Sequence, residues 1–272
     1  MVGYAGVAYA AFVVVAVWAV GFLADAGVPH TVDGTPARPS WVAVPVDAGL
    51  LLLFGVQHSV MARAGFKRRV ASVVPPQVER ATYVLATALV LGLLFGAWRS
   101  LPATVWRVGA QPWEAAAWVL FGAGWVVAVA ATFMVDHLDF LGIRQAVTYA
   151  RRASYRAPSF TGRWLYAWVR HPMMLGLLVA FWATPRMTAG HLLFAVGSTA
   201  YVAVGLRFEE RDLRRNFGEV YDGYADRVPS VVPRIGRRAV ASDDAAGPTG
   251  PTGAAEPARP TGAAGAARSS RR

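Results

Sequence analysis

"GYAGVAYAAFVVVAVWAVGFLA", residues 3–24, holds no charged side chain. An apolar run of that length crosses a hydrocarbon core of roughly 30 Å as one helix. A cleaved signal peptide is the competing reading. The stretch has no basic n-region, and its apolar part outruns an ordinary h-region, so it reads as a retained first helix.

The whole chain follows the same pattern. Of its 272 residues, 55% are hydrophobic and only 16% charged. Soluble domains carry about a quarter of their residues as charges, so the composition places the chain in the membrane. There is no cysteine, which excludes a disulfide scaffold, a thiolate metal site and a cysteine nucleophile. The net charge of +11 does not indicate nucleic acid. The Arg and Lys residues stand in short clusters between apolar runs, as the positive-inside rule places them, and anionic headgroups are their partners.

Further spans are expected at about 43–62, 80–98 and 113–135. Residues 25–41 form a loop with one cation, Arg38. Two shorter apolar segments, 172–185 and 190–207, read as a helical hairpin whose joint, "PRMTAG", is a tight turn. Cations concentrate in the 63–79 loop, in 136–171 and toward the C-terminus, which puts those regions and the N-terminus on the cytoplasmic side. After 207, "LRFEERDLRRNFGEVYDGYADRVPSVVP" spaces Leu206, Leu213, Phe217, Tyr221, Tyr224 and Val228 near helical periods, with a break at Gly218. The expected fold is an all-α polytopic membrane bundle of about five to six transmembrane helices with a cytoplasmic amphipathic C-terminal helical region. Residues 1–238 form the membrane domain. Residues 239–272, rich in Ala, Gly, Pro, Thr, Ser and Arg, cannot bury a core and are expected to be disordered.

Ionisable groups at the edges of spans need a reason. In "VRHPMMLG", Pro172 suits a first helical position, and the free N–H groups of that turn favour an anion. Arg170 and His171 stand just ahead of it, and Gly176 permits close approach of a ligand or another helix. The structural alternative has Arg170 snorkelling to headgroups and His171 capping the helix. Glu209–Glu210 could bind an ammonium or ribose hydroxyls, or simply pair with Arg207, Arg211 or Arg214. His58 lies within the second span. Asp136, His137 and Asp139 follow the fourth, and the spacing is too weak to support a metal site.

"RHPMMLG" followed by "FEERDLRRNFGEVYDGYADRVPSVVP" resembles the isoprenylcysteine carboxyl methyltransferase superfamily. The match runs through Arg170, His171, Pro172, Gly176, Glu209, Glu210, Leu213, Phe217, Gly218, Tyr221, Tyr224, Val228 and Pro229. Met174 departs from it, standing where that superfamily carries a tyrosine. "LLLFGVQHSVMARAGFKRRV", "VPPQVERATYVL", "DHLDFLGIRQ" and "FWATPRMTAGHLLFAVGSTAYVAVG" are similar to bacterial methanethiol S-methyltransferases and NnrU-type membrane proteins.

The resemblance implies an enzyme of the bacterial cytoplasmic membrane, its site facing the cytoplasm. It would use S-adenosylmethionine to methylate methanethiol to dimethyl sulfide, with a small thiol and the bilayer as partners and no metal. Arg170, His171, Pro172, Gly176, Glu209, Glu210, Tyr221 and Tyr224 are then the cofactor-binding candidates. His58, His137 and Asp139 are the catalytic candidates for activating the thiol, His58 being favoured for its apolar surroundings. Two other readings stay open: another thiol or a lipid or prenylcysteine acceptor, and a non-enzymatic NnrU-type accessory protein.

Overall fold

The computed structural model describes residues 1–34, 40–156 and 162–233. The tail expected from 239 onward lies outside them. Long apolar runs fold as helices because lipid offers no partner to a free backbone N–H or C=O. Among the described residues, five helices are long and apolar enough to cross a membrane. They are α1 (Val2–Ala24), α2 (Ser40–Ala62), α4 (Glu79–Ala97), α5 (Trp113–Val135) and α9 (Ala189–Phe217). Shorter elements join them: α3 (Ala64–Val70), α6 (His137–Phe140), α7 (Ile143–Ala150), α8 (Pro172–Trp182) and α10 (Glu219–Arg227). Their outer faces expose Val14, Val17, Leu52, Leu89, Val126 and Phe133, which is the surface a bilayer requires.

Small residues set the helix pairing. α1 and α4 run in the same direction: Tyr4 donates to Thr82, and further along Gly92 meets Val15 and Gly96 meets Trp18. α5 and α8 run in opposite directions, with Gly124 against Ala180 and Gly176 against Ala128. A Cβ on Gly176 would stand 2.5 Å from the Gly124 carbonyl oxygen, so only glycine allows this crossing. α2 and α9 are parallel, with Gly197 on Leu51 and Gly55 on Tyr201.

Two readings change. The "PRMTAG" joint is not a bare turn. Its residues Arg186–Thr188 form strand β2, antiparallel to β1 (Thr104–Arg107) from the loop between α4 and α5. Backbone groups that a tight turn would leave open find partners there. The segment expected at 190–207 is also no short limb. It is the first part of α9, 29 residues long, which carries Glu209 and Glu210 without interruption and ends at Gly218 with φ 53°. Left-handed backbone there favours glycine.

The β1–β2 ribbon marks one face of the bundle. α8 leaves from the opposite face and reaches the ribbon, so the chain crosses there as well. With only 11 residues, α8 is about 16 Å long and needs the extended segment after it to complete the passage. His191 is buried near the ribbon and donates to the Phe181 carbonyl through Nε2 at 3.0 Å. The other face gathers the ends of α2 and α5, the starts of α1, α4 and α8, and the end of α9 with α10.

Candidate active site

The entrance to α8 is built by the backbone first. The Arg170 N–H donates to the Pro229 carbonyl at 2.9 Å, and the His171 N–H donates to the Ser230 carbonyl at 3.0 Å. This pairing lays the chain after α10 across the start of α8. Pro172 occupies the first turn, and no side chain caps it. The first-turn N–H groups therefore keep their affinity for an anion.

Four of the five N–H donors of the Arg170 guanidinium are engaged. Its Nε and Nη2 donate to Glu210 Oε1 at 3.1 and 2.5 Å. Its Nη1 donates to the carbonyls of Ala225 and Val228 at 2.7 and 2.6 Å, closing the C-terminal end of α10. His171 is buried beside it, with Nε2 3.3 Å from Glu210 Oε1 and Nδ1 3.7 Å from Glu209 Oε2. Arg214 reaches Glu210 Oε2 at 3.3 Å and Asp222 at 3.2 Å. Glu210 is thus enclosed by cations, whereas the Glu209 side chain is half exposed.

Aromatic groups back this cluster. Tyr221 and Tyr224 are buried with Leu213, Phe217 and Val228. The Tyr224 hydroxyl donates to the Tyr166 carbonyl at 2.6 Å. Burial, with the Glu210 charge added to it, pushes the Tyr221 phenol up to about 12. Burial and the nearby Glu209 push Tyr166 up to about 12 as well. Trp168 remains more than half exposed at the edge. Tyr166 and the carbonyls of Pro229 and Ser230 carried no sequence signal, because backbone partners and a residue in a 3-10 turn leave no periodic pattern.

Arg170, His171, Pro172, Glu209, Glu210, Tyr221 and Tyr224 therefore stand together. Gly176, one turn further along α8, faces α5. The three catalytic candidates sit elsewhere. His58, on α2, has Nε2 2.7 Å from the Tyr83 hydroxyl and Nδ1 3.3 Å from the Thr87 hydroxyl, with the Phe54 and Tyr201 rings around it. Tyr201 lies on α9, nine residues before Glu210, which is about 13 Å along the helix. His137 stacks on Phe133 and has Nδ1 2.8 Å from the Thr132 hydroxyl. Desolvation holds its imidazole below the usual range, against the pull of Asp136. Asp139 is buried and accepts from the Tyr155 hydroxyl at 2.8 Å. Among the described residues, no three His, Asp or Glu side chains are grouped to hold a metal.

The family pattern described as NnrU protein matches residues 48–216, from within α2 to the last turn of α9. The chain belongs to the NnrU family. This chain is 47% identical over 230 residues to the methanethiol S-methyltransferase of Mycobacterium tuberculosis, covering 85% of this chain and 94% of that protein. It is 48% identical over 244 residues to methanethiol S-methyltransferase 2 of Bradyrhizobium diazoefficiens, covering 88% and 92%. Nurim of Xenopus laevis is 30% identical over 181 residues, covering 62% of each chain. No solved structure matches. The family match stops just short of α10, so Tyr221 and Tyr224 of this NnrU-family chain stand beyond it.

Proposed function

We propose that this protein methylates methanethiol to dimethyl sulfide with S-adenosylmethionine as donor, in a bacterial cytoplasmic membrane, at a site facing the cytoplasm. The relatives named methanethiol S-methyltransferase support the reaction. The observation that carries the site is the meeting of His171 and the uncapped start of α8 with the acidic pair of α9.

The residues present fit the donor. A half-exposed carboxylate, Glu209, suits an ammonium. The first turn of α8 suits a carboxylate. Exposed Trp168 offers a face on which a nucleobase can stack. Arg170, with four of its five donors engaged inside the protein, positions Glu210 and α10. His171, nearly enclosed, holds the acidic pair in register. S-adenosylmethionine supplies a sulfonium whose methyl group is open to displacement by a thiolate.

Transfer forms a carbon–sulfur bond to the acceptor, and the thiol proton must leave. Thiolate is the reactive form, and it is scarce for a simple alkyl thiol at neutral pH. His58 is our candidate to receive that proton. It lies in the apolar layer, which an oil-soluble thiol reaches from the bilayer, and its longer contact, to Thr87, is the more easily exchanged. Holding both reactants in line in a dry site supplies much of the rate.

The orientation follows from charge. Arg63, Lys67, Arg68, Arg69, Arg144, Arg151 and Arg152 lie on the site face, and the positive-inside rule sets that face toward the cytoplasm. Membranes carrying the chain, given methanethiol and methyl-labelled S-adenosylmethionine, should release labelled dimethyl sulfide into the headspace. Membranes with His171→Ala should not. Release from His171→Ala equal to the wild type contradicts the site.

A further inference from the structure

The corner between α2 and α3 has no part in the site above, yet it carries an open cleft lined by cations. Val60, Arg63, Gly65, Phe66, Arg68 and Arg69 line a cleft of about 510 Å³. That volume is within the range of small-ligand sites. The cations of this corner differ in their partners. Lys67 pairs with Glu79 at 2.8 Å. Arg63 lies over the Phe208 ring and 3.7 Å from Asp212. Among the described residues, no carboxylate stands within 4 Å of the Arg68 or Arg69 guanidinium.

The surroundings of these two arginines decide the ligand class. The cleft opens where α2 leaves the apolar layer. Val60 and Phe66 give it an apolar lining, and Val73, four residues beyond Arg69, is 81% exposed. A free anion gains nothing from valine and phenylalanine. A lipid brings both parts together: a phosphodiester for the guanidinium groups and acyl chains for the apolar residues. Arginine suits the phosphate because its planar fork donates two parallel hydrogen bonds.

We infer that the α2–α3 corner is a binding site for the headgroup of an anionic phospholipid, with Arg68 and Arg69 on the phosphate and Val60, Phe66 and Val73 against the lipid's apolar part. Arg63, which lines the cleft, also lies over the Phe208 ring, so an occupied cleft braces the helix end that touches α9 beside Glu209.

The test uses the purified full chain in neutral detergent at about 0.15 M salt, where diffuse surface attraction is screened. Tail-labelled phosphatidylglycerol and phosphatidylcholine are titrated separately, and binding is read by fluorescence anisotropy. The wild type should bind phosphatidylglycerol saturably and phosphatidylcholine much more weakly. Arg68→Gln with Arg69→Gln should bind phosphatidylglycerol at least about tenfold less tightly, and Arg69→Gln alone should fall between. Arg151→Gln with Arg152→Gln removes the same charge elsewhere on this face and should bind as the wild type does. Melting of each variant confirms that it is folded. Equal weakening in both doubles would show diffuse charge and overturn the site. Unchanged binding in the Arg68–Arg69 double would overturn it as well. Displacement of the lipid by millimolar inorganic phosphate would show a free-anion site and overturn the lipid assignment.

Discussion

Arg170 and Glu210, forty residues apart, form a doubly contacted ion pair, and the same guanidinium closes the last carbonyls of α10 through Ala225 and Val228. One side chain thus fixes the start of α8, the acidic pair of α9 and the end of α10. Arg170→Lys keeps the charge but cannot reach three partners at once. It should lower the melting temperature and remove activity together. Breaking a buried pair outright, as in Arg170→Ala, costs on the order of 3 kcal/mol or more. Thermal melting in detergent checks both, and a fully stable Arg170→Ala would deny the strap.

Glu209 differs from its neighbour in being half exposed. Glu209→Gln should leave the melting temperature unchanged and raise the KM for S-adenosylmethionine about tenfold or more, the loss expected for a charge-assisted contact. Steady-state kinetics on the purified chain reads this. An unchanged KM removes Glu209 from the donor site.

The α8–α5 crossing depends on Gly124 and Gly176. Gly176→Val places atoms where the Gly124 carbonyl and the Ala128 backbone already stand, 2.5 and 2.6 Å from a Cβ. Overpacking of this kind costs about 1–3 kcal/mol. Gly122→Ala, on α5 with open space around it, should be neutral. Melting curves of the two variants separate the crossing from a general intolerance of α5 and α8.

Acid should loosen the turn after α5. Partial burial alone would raise the Asp136 carboxyl, but the Asp139 N–H and the Arg144 guanidinium hold it below the usual carboxylate range. A depressed folded value means that its stabilisation is present above the ordinary carboxylate pKa and is lost as pH falls through the folded value. Asp136→Asn should therefore lower the melting temperature at neutral pH and narrow the difference from wild type toward pH 3. A difference that stays constant with pH would show that the charge contributes nothing there.

His58→Gln should lower kcat with methanethiol while leaving donor binding unchanged. Tyr83→Phe removes the 2.7 Å contact to His58 and should have a smaller effect in the same direction. Dialysis against labelled S-adenosylmethionine, with kinetics in parallel, distinguishes this from misfolding. Unaltered turnover in His58→Gln removes it from the thiol side.

Much of this molecule is written in its one-dimensional pattern. α5 begins and ends at the residues its apolar run marks, and Gly218 breaks α9 where the sequence places a break. Helices in lipid have few alternatives, so apolar length alone carries the information. The second limb of the 172–207 hairpin was read too short because hydropathy sees only the apolar half of α9. The charged half continues the same helix once it has left the membrane. The β1–β2 ribbon was invisible because two short strands eighty residues apart have no local signature. In the site, the meeting of His171 with Glu209 and Glu210 was legible only through the family resemblance, since the chemistry of each motif alone left a purely structural role open. The attachment of Arg170 to backbone carbonyls was not, since carbonyls belong to every residue.

Binding of radiolabelled S-adenosylmethionine to the purified chain bears most directly on the claim that the start of α8 and the acidic doublet make one donor site. Wild type should bind saturably. Glu209→Gln and His171→Ala should each bind at least about tenfold less tightly, while Glu114→Gln, at the ribbon end of α5, should match wild type. Undiminished binding in both site variants would contradict the account.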